Sequence, residues 1–202
     1  MMDLVKQIKI AKKSLLNHGV VAFPTETVMG LGVVFDDPIA YEKLNRIKRR
    51  PEDKPYTMMV KSVDEIKKYA VINDVTQRVI NAFMPGSITI LVPVKENSVP
   101  NYVTHNTNII GVRIPTNKEA QLLLNEVNKP LLVPSANRSG EIPALNSDEA
   151  QAIFGSEIDA IITGESLKER PSTIVDLTKD EVVIMREGPI SLDEIQKVIK
   201  II

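Results

Sequence analysis

The sequence predicts an α/β fold: a single domain with a twisted mixed β-sheet, helices on both of its faces and a ligand cleft at strand ends. Segments with helical spacing of apolar residues alternate along the chain with short runs of consecutive apolar residues, and such runs are typical of strands covered on both faces. No repeat, low-complexity linker or shift in composition divides the chain. We therefore expect one domain over residues 1–202.

The first two helices are predicted from apolar spacing and from residues that begin or end a helix. Residues 4–18 carry apolar side chains at helical spacing, and Gly19 is typical of a helix end. Asp37, followed by a proline, predicts the start of the second helix, because a capping carboxylate and proline in the first turn both favour one. The next proline in the chain ends that helix near Arg50.

The remaining elements follow from capping boxes and apolar runs. Three capping boxes precede segments with helical spacing: Ser62 with Glu65, Thr116 with Glu119, and Ser191 with Glu194. Helical spacing alone predicts two more helices, over 74–83 and 148–154. Apolar runs predict strands over 20–23, 56–60, 88–92, 109–114, 130–133, 160–163, 172–177 and 182–185.

Composition limits the kinds of site that the chain can hold. The 25 basic and 26 acidic residues nearly balance, so any site for an anion must be local. The absence of cysteine excludes disulfides and thiolate chemistry and fits a cytoplasmic protein, and two histidines argue against a zinc site. No apolar run approaches the roughly 20 residues that cross a bilayer, so we expect no membrane contact.

Several cofactor and nucleophile motifs are missing. The sequence has no Walker loop and no G-x-S-x-G. Gly30-x-Gly32 lacks the third glycine of a dinucleotide-binding loop. We expect no zinc, flavin or nicotinamide.

Polar side chains collect where the predicted strands begin or end. Thr27 follows the strand over 20–23, Ser135 and Asn137 follow the strand over 130–133, and Ser172 and Arg186 border the last two strands. Side chains at strand ends of an α/β sheet can converge on one ligand cleft. Ser-x-Asn after a strand is also an ordinary turn sequence.

Positive charge is concentrated beside these positions. Residues 43–54 hold six basic and two acidic residues, which favours an anionic ligand such as phosphate. Lys48 and Arg50 would lie on one side of extended backbone past the helix end, although a basic helix end also complements the helix dipole. Arg113 stands inside an apolar strand, where a buried guanidinium needs a partner.

Seven motifs in a fixed order give the chain a family resemblance. They are FPTETVMGLG, IKRRP, MPGSITILV, GVRIP, VPSANRSG, PSTIVDL and REG, over roughly residues 20–188. This series resembles the YrdC-like family, whose best-known members are threonylcarbamoyl-AMP synthases. The family signature K-x-R … S-x-N matches Lys48, Arg50, Ser135 and Asn137.

The resemblance implies a reaction and a set of partners. Threonine, bicarbonate and ATP, accompanied by magnesium, would give threonylcarbamoyl-AMP and pyrophosphate for threonylcarbamoyladenosine modification of tRNA. Proteins that transfer the group to tRNA would act downstream, and tRNA or double-stranded RNA would be a possible direct contact. By the resemblance, Lys48 and Arg50 would be catalytic; Lys48, Arg50, Ser135, Asn137 and Arg186 would bind ATP; and Thr27, Arg113 and Ser172 would bind threonine.

The chain also departs from the family pattern and leaves two alternatives open. Met29 and Met59 stand where the family more often has tyrosine and histidine. RRPEDKP also resembles the carbamoyl-adenylate-forming domain of hydrogenase-maturation enzymes. A paralogous enzyme that makes another adenylate, or a non-catalytic RNA-binding module, therefore remains open. Because the chain ends at Ile202, we expect the second domain of longer synthases to be absent.

Overall fold

A computed structural model describes residues 3–50, 55–166, 170–179 and 181–200. Within these ranges the helices are α1 Leu4–Leu15, α2 Pro38–Lys48, α3 Val63–Tyr69, α4 Asp74–Phe83, α5 Asn101–Thr104, α6 Lys118–Val127, α7 Ser147–Phe154 and α8 Leu192–Ile199. The strands are β1 Val21–Phe23, β2 Gly30–Val34, β3 Thr57–Met59, β4 Ile88–Pro93, β5 Ile109–Arg113, β6 Leu131–Leu132, β7 Ala160–Ile161, β8 Thr173–Asp176 and β9 Val183–Arg186.

The strands of the described ranges form one mixed sheet of nine strands, in the order β7-β1-β2-β6-β3-β5-β4-β8-β9. Strand β1 runs parallel to β7, β3 to β5, and β4 to β8, and the other neighbours are antiparallel. The predicted fold class, an α/β fold with a mixed sheet, is confirmed. No helix in these ranges has the length and apolar character that crossing a membrane requires.

Helices cover both faces of the sheet, as predicted. Successive side chains of a strand point to opposite faces, and Met58 and Met59 accordingly enter different cores. Met58 packs with apolar residues of α2, α3, α4, α7 and α8. Met59 packs with those of α1 and α6. The central strands are therefore buried from both sides, which explains their continuous apolar sequences.

The helix starts agree with the predicted caps at most positions. The Asp37 side chain accepts hydrogen bonds from two backbone amides of α2, and Ser191 and Glu194 form a complete capping box. Ser62 caps α3, but the Glu65 carboxylate accepts from the backbone of Lys61 instead of completing the box.

Two predicted helix boundaries are wrong. Asn117, and not Thr116, caps α6 by accepting a hydrogen bond from the backbone of Ala120, because asparagine caps as well as threonine and stands one residue nearer the helix. Helix α1 ends at Leu15, earlier than predicted, and His18 takes a left-handed φ of 59° in the turn that follows.

Strand β2 was not predicted, because its glycines disfavour a strand. The structure shows why glycine stands there. A Cβ atom on Gly30 would lie 2.6 Å from Val133, and one on Gly32 would lie 2.7 Å from Phe23. The glycines let the side chains of Phe23 and Val133 pack directly on the backbone of β2. Because Val133 follows β6, this contact places the start of β2 next to the segment after β6.

Candidate active site

The candidate active site is a cleft on the sheet. Many of the residues that line it begin, end or flank a strand. Six of the eight predicted site residues line it: Thr27, Arg50, Arg113, Ser135, Ser172 and Arg186. The rest of the lining is Thr25, Val28, Met29, Gly30, Pro55, Tyr56, Thr57, Met59, Val133, Pro134, Pro171 and Ile174. Lys48 and Asn137 are not among the lining residues. The predicted site residues form two clusters, described in turn.

The first cluster, here called the arginine cluster, consists of Glu26, Thr27, Arg113, Ser172 and Arg186. Arg113 ends β5 and is 6% exposed. Its Nη2 donates to Glu26 Oε1 at 2.7 Å and to Thr27 Oγ1 at 3.0 Å. The partner that a buried guanidinium requires is therefore Glu26. Sequence reasoning did not include Glu26 among the site residues, although it lies in the PTET motif.

Arg186 holds the other side of the arginine cluster. Its Nε and Nη2 donate to the backbone oxygen of Ser172 at 3.0 Å and 2.8 Å, and Nη2 also contacts Ser172 Oγ at 3.1 Å. Arg186 is exposed as a whole residue, but partial burial of its guanidinium and the nearby charge of Arg113 lower its pKa to about 10. The cluster holds two guanidinium groups and the single carboxylate of Glu26, so this side of the cleft favours anions.

The second cluster, here called the signature cluster, consists of Lys48, Arg50, Ser135 and Asn137. Lys48 is 1% exposed. Its Nζ donates to the backbone oxygens of Ser135 at 2.6 Å and Asn137 at 2.7 Å, and to Asn137 Oδ1 at 2.9 Å. An ammonium group has three hydrogens to donate. Lys48 therefore fastens the segment after β6 to the end of α2.

The environment of Lys48 disfavours its charge. Burial, together with the neighbouring cations Arg50 and Arg138, lowers the pKa of Lys48 to about 7. The three oxygens that it contacts are neutral groups. An anion bound in the cleft would favour the charged form of Lys48.

The Asn137 side chain is fully hydrogen-bonded inside the protein. Its Oδ1 accepts from Lys48 and from Ser135 Oγ, the latter at 2.7 Å, and its Nδ2 donates to the backbone oxygens of Arg138 and Glu141. Asn137 thus shapes the segment that presents Ser135 to the cleft. The Ser-x-Asn sequence forms a tight turn in which the Asn137 amide donates to the Ser135 backbone oxygen, and Lys48 donates to the same oxygen.

The predicted arrangement of Lys48 and Arg50 is wrong. Lys48 is the last residue of α2, and Arg49 after it adopts the left-handed conformation with a φ of 49°. The two residues therefore do not share one side of an extended backbone: Lys48 is buried, whereas Arg50 lines the cleft. Residues 51–54 of the basic segment lie outside the described residues.

Arg50 is oriented by an aromatic platform that the sequence did not reveal. Its guanidinium carbon lies 4.4 Å from the centre of the Tyr56 ring, and its Nη2 donates to the Pro55 backbone oxygen at 2.8 Å. Tyr56 is fixed in turn, since its hydroxyl donates to Asn45 Oδ1 and its ring packs edge-on against Tyr41. This stacking is favourable for a cation over a tyrosine ring.

The donors in the cleft suit an anionic organic ligand better than a bare metal ion. Across the described ranges, no group of three or more histidine, aspartate or glutamate side chains could hold a metal. The cleft lining in the same ranges contains hydroxyl, guanidinium and backbone groups but no carboxylate. Such a lining can neutralise and align phosphates and carboxylates.

Comparisons with known proteins show which family the chain resembles. The Sua5/YciO/YrdC family model, described as telomere recombination, matches residues 13–188. A threonylcarbamoyl-AMP synthase of Pyrococcus abyssi is 33% identical over 195 residues, which are 96% of this chain and 57% of that protein. A putative threonylcarbamoyl-AMP synthase of Methanocaldococcus jannaschii is 31% identical over 95% of this chain and 90% of its own length.

Solved structures show the same fold. The crystal structure of Pyrococcus abyssi Sua5 complexed with L-threonine matches with a TM-score of 0.93 and 33% identity, over 99% of this chain and 59% of that one. Escherichia coli YciO matches with a TM-score of 0.88 and 27% identity, over 96% of this chain and 95% of that one. This chain thus spans little more than half of the Pyrococcus protein. It belongs to the Sua5/YciO/YrdC family.

Proposed function

We propose that this chain is an L-threonylcarbamoyladenylate synthase, a nucleotidyltransferase that converts L-threonine, bicarbonate and ATP into threonylcarbamoyl-AMP and pyrophosphate. The observation that carries the proposal is the cleft into which Arg50, Arg113 and Arg186 converge from different elements, without a carboxylate in its described lining. The named synthases among the relatives and the threonine-bound Sua5 structure support it.

The reaction needs alignment and charge neutralisation more than a protein nucleophile. The threonine amine and bicarbonate form an N-carboxylate with loss of water. A carboxylate oxygen then attacks the α-phosphorus of ATP, and the bond to the β-phosphate breaks to release pyrophosphate. Positioning and electrostatic stabilisation are large terms in phosphoryl transfer. Three guanidinium groups in one cleft supply the positive charge for such a step.

The signature cluster is the proposed ATP side of the cleft. Arg50 would contact the phosphates and the negative charge that develops during transfer, and Ser135 would contact the nucleotide. Lys48 and Asn137 would act from below by holding Ser135 in place, as their hydrogen bonds indicate. Magnesium would enter with ATP and be held by the phosphates, since the described lining offers it no carboxylate.

The arginine cluster is the proposed amino-acid side. Arg113 would pair with the threonine carboxylate, and the hydroxyls of Thr27 and Ser172 would contact the amino acid. Arg186 would lie between the two substrates and face the triphosphate. The product would serve threonylcarbamoyladenosine modification of tRNA, through proteins that take up the adenylate.

One observation favours a second candidate, an enzyme of the same chemistry with a different amine substrate. Met29 and Met59 both line the cleft, at positions where the family pattern more often has tyrosine and histidine. Methionine offers a flexible apolar contact in place of polar groups, so the pocket would accept a less polar amino acid.

Pyrophosphate release from ATP and magnesium tests the proposal. The assay is run with threonine and bicarbonate together, with each alone, and with neither, and then with valine or serine in place of threonine. Release that requires threonine and bicarbonate together is expected. Pyrophosphate release that is faster with another amine than with threonine would favour the second candidate. ATP binding without release under any condition would contradict both.

A further inference from the structure

The ion pair between Arg113 and Glu26 leaves part of each group unsatisfied. The two side chains, which are 7% and 12% exposed, meet through Arg113 Nη2 and Glu26 Oε1 alone. Glu26 Oε2 and Arg113 Nε are the buried side-chain atoms without a hydrogen-bond partner in the described part of the chain. Unpaired buried polar atoms are costly, so their presence together beside a cleft indicates a role other than stability.

Glu26 changes the charge of the arginine cluster. Arg113 lies close enough to Arg186 to lower its pKa, and two uncompensated guanidinium groups would favour any small anion, including a phosphate of ATP. Glu26 supplies one negative charge at 2.7 Å from Arg113. Glu26 lies behind the cleft lining, and its charge next to Arg113 gives the cluster a cation beside an anion, the electrostatic complement of an α-amino acid with its carboxylate and its ammonium group.

We propose that Glu26 is a specificity-determining residue that makes the arginine cluster selective for a zwitterionic amino acid over a simple carboxylate or phosphate. This inference rests on the proposed function, because it concerns the amino-acid side of the same cleft. Glu26 acts through its charge and through Arg113, and need not touch the amino acid. It also keeps the phosphates of ATP on the signature side of the cleft.

A purely structural role for Glu26 has a different consequence. If Glu26 only held Arg113 in position, its loss would weaken every ligand of Arg113 by the same factor. If Glu26 sets selectivity, its neutralisation acts with opposite signs on two ligands: a zwitterion loses an attractive charge, whereas a simple anion loses a repulsive one. The ratio of the two affinities therefore separates the two roles.

The test is calorimetric binding of L-threonine and of (R)-3-hydroxybutyrate, which is threonine without its amine, to the full chain at pH 7. For the wild type, we expect threonine to bind at least ten-fold more tightly. In Glu26→Gln, which keeps the shape and one acceptor, we expect threonine to bind about ten-fold more weakly and the hydroxy acid several-fold more tightly. Glu187→Gln, a change at the exposed neighbour of Arg186, is the matched control and is expected to leave the ratio unchanged.

Each outcome bears on one claim. Wild-type protein that binds threonine no better than the hydroxy acid would overturn this inference without any variant, even if Glu26→Gln does not fold. Equal shifts for both ligands in Glu26→Gln would overturn it as well. Wild-type protein that binds neither ligand, with or without ATP, would overturn the proposed function instead.

Discussion

The signature cluster and the arginine cluster use buried cations in opposite ways. Lys48 directs all three of its hydrogens at oxygens of the protein, whereas Arg113 leaves its Nε without a partner in the described ranges. Lys48 thus holds together the segment that presents Ser135, whereas Arg113 lines the cleft and keeps an unsatisfied donor behind it. The comparison teaches that membership of a signature does not make a residue a ligand contact. Whether a residue contacts the ligand depends on how buried it is and on how many of its hydrogen-bond donors have no partner in the protein.

The largest expected effect comes from Lys48→Met. Loss of the ammonium removes a donor from three oxygens of Ser135 and Asn137. The Ser135 backbone oxygen keeps the Asn137 amide and Asn137 Oδ1 keeps the Ser135 hydroxyl, so the main cost is on the order of 1–3 kcal/mol for the Asn137 backbone oxygen, with smaller losses at the other two. We expect unfolding by urea to show a loss of about 2–4 kcal/mol, together with loss of measurable turnover. Lys129→Met, which removes an exposed ion pair with Asp36, is expected to change stability by less than about 1 kcal/mol.

An opposite result for Lys48 would reverse its assigned role. A Lys48→Met protein with wild-type stability but much weaker ATP binding would make Lys48 a direct phosphate contact. Lys48 would then resemble Arg113, and the two clusters would no longer differ in how they use a buried cation.

Arg50→Ala is expected to reduce turnover by about 100- to 1,000-fold, the usual effect of removing one preorganised donor from a transition state. Stability should change little, because Arg50 is partly exposed and lines the cleft. Steady-state pyrophosphate release and thermal unfolding measure the two effects separately. Arg46→Ala, on the exposed face of α2, serves as the control. A large loss of stability in Arg50→Ala would place Arg50 with Lys48 as a scaffold residue.

The lowered pKa of Lys48 predicts a pH-dependent stability. Its folded pKa of about 7 lies below the ordinary value of 10.5, so between these values the unfolded chain binds more protons than the folded one. Stability from this group therefore rises with pH from about 7 to 10.5, by at most about 1.4 kcal/mol per pH unit. Urea unfolding of wild type and Lys48→Met across this range isolates the effect. A difference that stays constant or falls as the pH rises would show that Lys48 is not destabilised by its charge.

The smallest effect is expected from loss of the Tyr56 ring, against which the Arg50 guanidinium stacks. Tyr56→Leu removes the ring at 4.4 Å from the guanidinium and is expected to lower turnover about five-fold, in line with an interaction of about 1 kcal/mol. Tyr56→Phe keeps the ring and loses only the hydrogen bond to Asn45, so its turnover should remain closer to wild type. Equal losses in the two variants would assign the effect to the hydroxyl instead of the stacking.

The sequence predicted the architecture well, because local patterns determine it. Helix α4 has the predicted bounds, and every predicted strand overlaps an observed one. Strand β2 was missed since its glycines serve a contact with Phe23 and Val133 that only the fold reveals.

The site was predicted less completely, for a physical reason. The contacts that define the two clusters join residues far apart in sequence, such as Lys48 with Asn137 and Arg113 with Glu26. Residue type alone showed that Arg113 needs a partner but not which one. Lys48 is the last residue of α2 and Arg49 after it is left-handed, so Lys48 is buried while Arg50 lines the cleft, and no local pattern in the sequence predicts that difference.

The two clusters are expected to bind different substrates, and a crossed binding experiment tests this division of the cleft most directly. Calorimetry measures the affinity of a non-hydrolysable ATP analogue with magnesium, and of L-threonine, for wild type, Arg50→Ala and Thr27→Val. We predict that Arg50→Ala weakens the nucleotide at least ten-fold and threonine less than three-fold, and that Thr27→Val shows the reverse. Loss of both ligands to the same extent in either variant would contradict the division of the cleft into a nucleotide side and an amino-acid side.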